Sequence, residues 1–208
     1  MSRPAVLFFT GPAACGKGTM SELLLKKSNN FAHISVGDIL RWEAADKDSP
    51  FSSQINAILE AGHIVPSDLA MFVLRRWIEK KASEGAKCVI IDGFPRAMDQ
   101  YMMFQQELGL PDAVIHMETQ PEVCLARSLE RARQAIANGE KPRSDDNEEK
   151  FRIRYAAYQN TTIPVIEHIK KENSGVYCFV DATPSIEDVF AQVLNILNSK
   201  NSLKECLA

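Results

Sequence analysis

No stretch of this 208-residue chain is apolar for anything near the roughly 18 residues that cross a membrane, so a bilayer-spanning helix is not expected. A strand-like run begins almost at Met1, so a signal peptide is not expected. Basic residues are not in excess: 24 Lys and Arg against 27 Asp and Glu give a formal net charge of −3, which argues against a protein that coats nucleic acid. The five cysteines, Cys15, Cys88, Cys124, Cys178 and Cys206, are odd in number and scattered, and fit neither a disulfide framework nor a zinc spacing. The last three residues fall one short of a prenylation box. These absences lead to the expectation of a cytoplasmic protein in a reducing compartment, with neither membrane nor nucleic acid as a partner.

With 45% apolar residues the chain can bury one α/β core carrying inserts, rather than two full domains. The stretch Gly11 to Thr19, GPAACGKGT, follows the apolar run Ala5 to Phe9 and precedes a helical pattern from Met20 to Lys27. A G-x4-G-K spacing between a strand and a helix is the signature of a phosphate-binding loop. Gly11, Gly16 and Gly18 let backbone N–H groups approach an anion, the helix N-terminus adds its positive end, and Lys17 supplies a mobile charge. Gly18 follows the lysine and the hydroxyl comes one place later, on Thr19, so a magnesium ion is expected to be held through water and phosphate oxygens. Cys15 reads as a small residue filling a tight turn, although oxidation there could inhibit.

Further strands are expected around His33, at Cys88 to Ile91, at Ala113 to Met117 and at Gly175 to Val180. Helices are expected over Phe51 to Ala61, from Pro66 to about Ser83, from Pro121 through Arg127, Arg131 and Arg133, and after Ser144, where Asp145 and Glu148 have capping-box spacing. Trp77 falls at core spacing with Val73 and Leu74, and His33 reads as packing; Trp42 is ambiguous, and Asp38 fits either a helix-start charge or an outer-shell magnesium group. The strand Cys88 to Ile91 runs into DGFPR, Asp92 to Arg96, where Asp92 becomes a candidate for orienting magnesium, Gly93 permits close approach of a ligand and Arg96 can reach a phosphate.

The GKGT ending and the DGFPR segment resemble the nucleoside monophosphate kinases, the adenylate and UMP-CMP kinase family, and the likeness runs from Val6 to Phe190. The resemblance implies a P-loop NTPase three-layer α/β fold with a five-stranded parallel sheet and two mobile inserts in a single domain: an acceptor-binding insert at about 35–84 and a short lid at about 131–143 without zinc. It also implies transfer of the γ-phosphoryl of ATP, with Mg2+, to a nucleoside monophosphate. Gly11, Ala14, Cys15, Gly16, Lys17, Gly18 and Thr19 would hold ATP, with Arg127, Arg131 and Pro184. Val36, Arg41, Ile64, Val65, Gly93, Phe94, Arg96, Gln100, Arg143 and Arg154 would hold the acceptor. Lys17, Arg96, Arg131, Arg143 and Arg154 would stabilise the transferring group, and Asp92 would hold magnesium through water. A monomer is expected.

Val36 in HISVGD, where adenylate kinases typically have Thr, together with RSDDN, Phe94 and MDQ, looks more like UMP-CMP kinases, so UMP or CMP, with dCMP as a further acceptor, is preferred and AMP is the alternative. Gln100 is compatible with either kind of base, since an amide can be turned over. A nucleotide-dependent switch is disfavoured because no Asn-Lys-x-Asp string occurs. An inactive scaffold is disfavoured because Lys17, Asp92 and the lid arginines are present.

Overall fold

The computed structural model describes residues 3–60, 65–143 and 145–208. Five parallel strands form one sheet: β1 (Ala5–Thr10), β2 (Phe31–Ser35), β3 (Cys88–Asp92), β4 (Ala113–Glu118) and β5 (Tyr177–Asp181), in the order β2-β3-β1-β4-β5. The three central strands are near-continuous apolar runs, as strands covered on both faces must be. Along β1 the side chains alternate between two cores. Val6 and Phe8 join Ile34, Leu74 and Phe104 on one face; Leu7 and Phe9 join Leu24, Ile115 and Leu197 on the other. That is the expected three-layer α/β arrangement, and among the described residues no helix is long and apolar enough to cross a membrane.

Helix α1 (Lys17–Lys27) follows β1. Between β2 and β3 the chain makes α2 (Val36–Ala45), α3 (Ser52–Glu60) and α4 (Ser67–Ser83). Then come α5 (Met98–Leu108), α6 (Pro121–Ala137), α7 (Glu148–Ala157), α8 (Ile163–Glu172), α9 (Ile186–Asn198) and α10 (Asn201–Lys204). Because every strand is parallel, every strand end that leads into a helix faces the same edge of the sheet. The strand order reverses beside β1, the place where α/β sheets open a crevice for ligands.

The sequence pattern needs adjustment in four places. Asn147, not Asp145, caps α7: its Oδ1 accepts from the Lys150 N–H at 2.9 Å, while Asp145 is paired with Arg154. Helix α6 continues through Arg131 to Ala137, so the residues between α6 and α7 begin later than the expected lid. The last strand starts at Tyr177 because Val176 N–H bonds back to the Asn173 carbonyl in a turn. Helix α5, which begins two residues after DGFPR, is not among the helices expected from the sequence.

At the exit of β1, Gly11 has φ 144°, and a methyl group on it would lie 2.2 Å from the Met117 carbonyl oxygen. Gly18, inside α1, has ordinary dihedrals and nothing within 4 Å of the same position. Gly11→Ala is therefore expected to lower Tm sharply, since backbone strain alone costs about 1–3 kcal/mol and β4 cannot move aside. Gly18→Ala should leave Tm unchanged or raised by helix propensity of about 0.5–1 kcal/mol. Thermal melts of the two variants check the contrast.

Candidate active site

The crevice at the strand ends is a single cleft of about 1330 Å3. One end is the loop between β1 and α1. Gly16, with φ 112°, and Ala14, with φ 61°, turn the backbone through left-handed conformations, which is costly for Ala14 and brings the loop around the helix start. Lys17 curls over its own loop, its Nζ donating to Pro12 O at 2.8 Å and Gly11 O at 3.1 Å. Cys15 is buried beneath the loop, and burial raises its thiol pKa against the lowering influence of Lys17. It is packing and not a thiolate nucleophile. Gly18 and Thr19 border the same cleft.

The parallel register places Phe9, Asp92 and Ser35 side by side, so β3 delivers Asp92 to the cleft next to the loop. His33 also borders the cleft, and is more than the packing residue expected. Its Nε2 is buried with no hydrogen-bond partner, 3.9 Å from Asp92 Oδ2. Burial holds its pKa below the usual value despite Asp92, Asp38 and Glu22, so the ring is neutral and the pair is no salt bridge.

The arginines foreseen as phosphate-binding converge on this cleft from separate elements: Arg41 on α2, Arg96 after β3, Arg131 on α6, Arg143 before α7 and Arg154 on α7. Most have an acidic anchor. Arg41 pairs with Asp38, which also lies 3.9 Å from Arg143. Arg154 pairs with Asp145. Arg131 donates through Nε and Nη2 to both oxygens of Asp146, Nε at 2.8 Å, and Asp146 also accepts from Ser128 Oγ at 3.0 Å. Burial opposes ionisation of Asp146, whose side chain is 1% exposed, yet Arg131 and Ser128 hold its carboxyl below the usual range. Asp38 behaves alike through Ser35 and Arg41, which makes it a counter-ion as well as a helix-start charge.

Arg96 is different. Its Nε donates to Gly93 O at 2.9 Å, and no carboxylate ion pair with it occurs among the described residues. Burial, then the Arg154 and Arg41 cations, push its pKa down to about 10, against the smaller help of Asp92 and Asp145. A partly buried guanidinium among like charges favours an incoming anion.

Around Arg96, Gly93 has φ 77° and lines the cleft, but Phe94 does not. Its side chain is 1% exposed and packs edge-on against Phe8 at 5.4 Å, so Phe94 belongs to the core and its expected contact with the acceptor is withdrawn. Val36 and Val65 line the cleft from the α2 and α4 side; Ile64 lies outside the described residues. Gln100, 3% exposed, is fixed by the backbone at both ends of its amide: Oε1 accepts from Arg96 N–H at 2.9 Å and Nε2 donates to Val65 O at 3.1 Å. Turning that amide over would set like against like, so the free rotation supposed from sequence is removed. Arg127 and Pro184 also line the cleft, where Arg127 Nη1 donates to Ala182 O at 3.1 Å and reaches Cys15 O of the phosphate loop at 3.4 Å.

Trp42 and Trp77 stay outside the cleft. Their rings lie 5.5 Å apart; Trp42 is 59% exposed, and Trp77 is half-buried with Lys80 over its face, not fully in the core as its spacing suggested. What sequence reasoning missed are the aspartate anchors and Thr162, whose hydroxyl donates to Arg96 O at 3.1 Å. The run SDDN held the signal for Asp145 and Asp146, and nothing in the sequence marked Asp38 as an anchor or singled out Thr162.

The match to known proteins covers this same architecture. The adenylate kinase family model matches residues 9–174. A UMP-CMP kinase of Danio rerio is 35% identical over 200 residues, 94% of this chain and 97% of that protein. A uridylate kinase of Saccharomyces cerevisiae is 32% identical over 91% of this chain and 88% of its own length. An adenylate kinase of Deinococcus deserti is 36% identical over 91% and 94%. With a phosphate loop, a strand-end aspartate and converging arginines in one cleft, and with likeness of this extent, the chain belongs to the adenylate kinase family.

Proposed function

We propose that this nucleoside monophosphate kinase transfers the γ-phosphoryl group of ATP to UMP or CMP, and to dCMP as a further acceptor. The observation that supports the reading is the cleft itself, lined together by the phosphate loop, by Val36, Val65 and Gln100, and by Arg96 and Arg154. The relatives named for UMP, CMP and uridylate support the pyrimidine choice, alongside Val36 and the RSDDN run, whose Ser144 lies outside the described residues. The adenylate kinase relative at 36% identity keeps AMP as the second reading.

In this reading ATP lies with its phosphates in the loop from Gly11 to Thr19 and its base between Arg127 and Pro184. The acceptor phosphate meets Arg41, Arg96, Arg143 and Arg154. The attacking phosphate oxygen is already ionised and needs no general base, so the protein's work is alignment and charge compensation. Lys17 leaves its loop carbonyls to follow the transferring group, because they are weaker partners than a phosphate. Asp146 fixes the orientation of Arg131, so that this guanidinium presents its remaining donors without first being ordered. The insert at 35–84 and the lid at 131–143, with the hinge side of the latter inside α6, close over the pair to exclude water.

Mg2+ fits this donor set. Among the described residues no three acidic, histidine or cysteine side chains gather into a cage, while Asp92 reaches the cleft beside the unpartnered Nε2 of His33. That suits an ion held mainly by phosphate oxygens and water, with Asp92 in its outer shell. Such an ion would offset phosphate charge, with Asp92 holding it through water.

Two measurements test the reading. Arg131→Ala is expected to raise the barrier by on the order of 4 kcal/mol, about a thousandfold in kcat; near-normal turnover would remove Arg131 from its role. A coupled assay with MgATP and UMP, CMP, dCMP or AMP is expected to give the highest kcat/KM with a pyrimidine nucleotide. AMP preferred by about tenfold, a difference of ~1.4 kcal/mol in transition-state binding, would reverse the order of the two readings.

A further inference from the structure

Strand β4 contains a polar residue where its neighbours are all apolar. His116 is buried, and its register partner on β1 is Thr10, the last strand residue before the phosphate loop. Its Nε2 lies 2.8 Å from the Tyr158 hydroxyl and its Nδ1 lies 3.2 Å from the Tyr177 hydroxyl. Burial, with Lys170 and Lys17 adding to it, lowers the pKa of His116 to about 4, so the ring is neutral. A neutral imidazole has one donor and one acceptor, and hydroxyls can complement both. The chain Tyr158–His116–Tyr177 is therefore fully satisfied with either tautomer.

Tyr158 opens an unusual segment. Residues Tyr158–Thr162 form one wide π-helical turn between α7 and α8, with Ile163 N–H bonding to Tyr158 O. The sequence accounts for the widening. Pro164 has no N–H and its ring crowds the carbonyl four residues back, and the Thr161 hydroxyl donates to Ala157 O at 2.6 Å, competing for the carbonyl an α-helix would use. Single π turns of this kind occur mostly at functional sites. The turn offsets α7 from α8, so that α8 packs Val165 and Ile169 into the core while α7 carries Arg154 to the cleft. Arg154 is one helical turn upstream of Tyr158, and Thr162, at the far end of the segment, holds the Arg96 carbonyl. Both central arginines are thus attached to the same five residues.

We propose that His116 and Tyr158 are positioning residues for phosphoryl transfer: their hydrogen bond pins the π turn to the sheet beside the phosphate loop, and so fixes Arg154 and Arg96 relative to the donor phosphates. The proposal rests on the kinase reading above. Without the bond, the turn keeps its packing and the Thr162 hydrogen bond but loses its tie to β4, and the two guanidinium groups sample positions from which they stabilise the transferring group less well.

Single-turnover phosphoryl transfer, with enzyme in excess over ATP, separates this from a structural role. Tyr158→Phe, His116→Phe and the double variant are each expected to lower the single-turnover rate constant about tenfold, with KM for both nucleotides within twofold of the original chain. The double variant should be no slower than the slower single one, because both remove the same bond. His116→Gln, whose amide can still reach a hydroxyl, should recover at least a third of the rate. A purely structural role would instead lower Tm and the reaction amplitude, leaving the rate constant of the folded fraction unchanged, and that result overturns the proposal. So does an additive loss in the double variant. If His116→Phe does not fold, Tyr158→Phe and Thr162→Val decide the matter: rate constants within twofold in both overturn it. An original chain that phosphorylates no monophosphate defeats the kinase reading itself, which these variants do not address.

Discussion

Like charges repel, and this fold brings Arg41, Arg96, Arg131, Arg143 and Arg154 to one cleft. The rest of the site is arranged around making that possible. Asp38, Asp145 and Asp146 each hold at least one of these guanidinium groups in place, and the carboxyl groups of Asp38 and Asp146 are kept ionised below their usual range by those contacts. Arg96 alone lacks a carboxylate partner among the described residues, and its pKa is lowered first by burial and then by the Arg154 and Arg41 cations. A polyanion binding here replaces a standing repulsion with attraction, which in a partly desolvated cleft is worth more than the same contact on an open surface.

The sheet supplies the rigidity such an arrangement needs. Parallel strands put the ends of β1, β2 and β3 in register, so the phosphate loop and Asp92 are set by strands buried on both faces. The arginines, by contrast, sit on helices and turns at the rim, where elements can shift without unpacking the core. Rigid donor site and adjustable charges are what phosphoryl transfer requires, since its chemistry is mainly one of placement.

Much of this could be read from the chain. The strand runs, the GPAACGKGT loop and DGFPR each combine a periodicity with residues of fixed conformational need, such as Gly11 at φ 144° and Gly93 at φ 77°, so local sequence constrains local structure there. The arginines could be named because the family resemblance assigned them. What was not legible depends on three-dimensional juxtaposition. Phe94 sits in a loop motif yet packs into the core, because Phe8 and Phe104 come to it from elsewhere in the chain. Asp145 has a cap's spacing, but a guanidinium nine residues on is a stronger partner than a backbone amide. The wide turn at Tyr158 arises from a threonine and a proline whose combined effect no single propensity expresses.

Gln100 joins Val65, at the start of the chain into α4, to the backbone of Arg96 through the two ends of one amide. A rigid strut of this kind transmits displacement in both directions. A pull on the α4 region would tug on the arginine's main chain, and a pull on that arginine would be felt by the α4 region, so the two ends share a single mechanical coordinate.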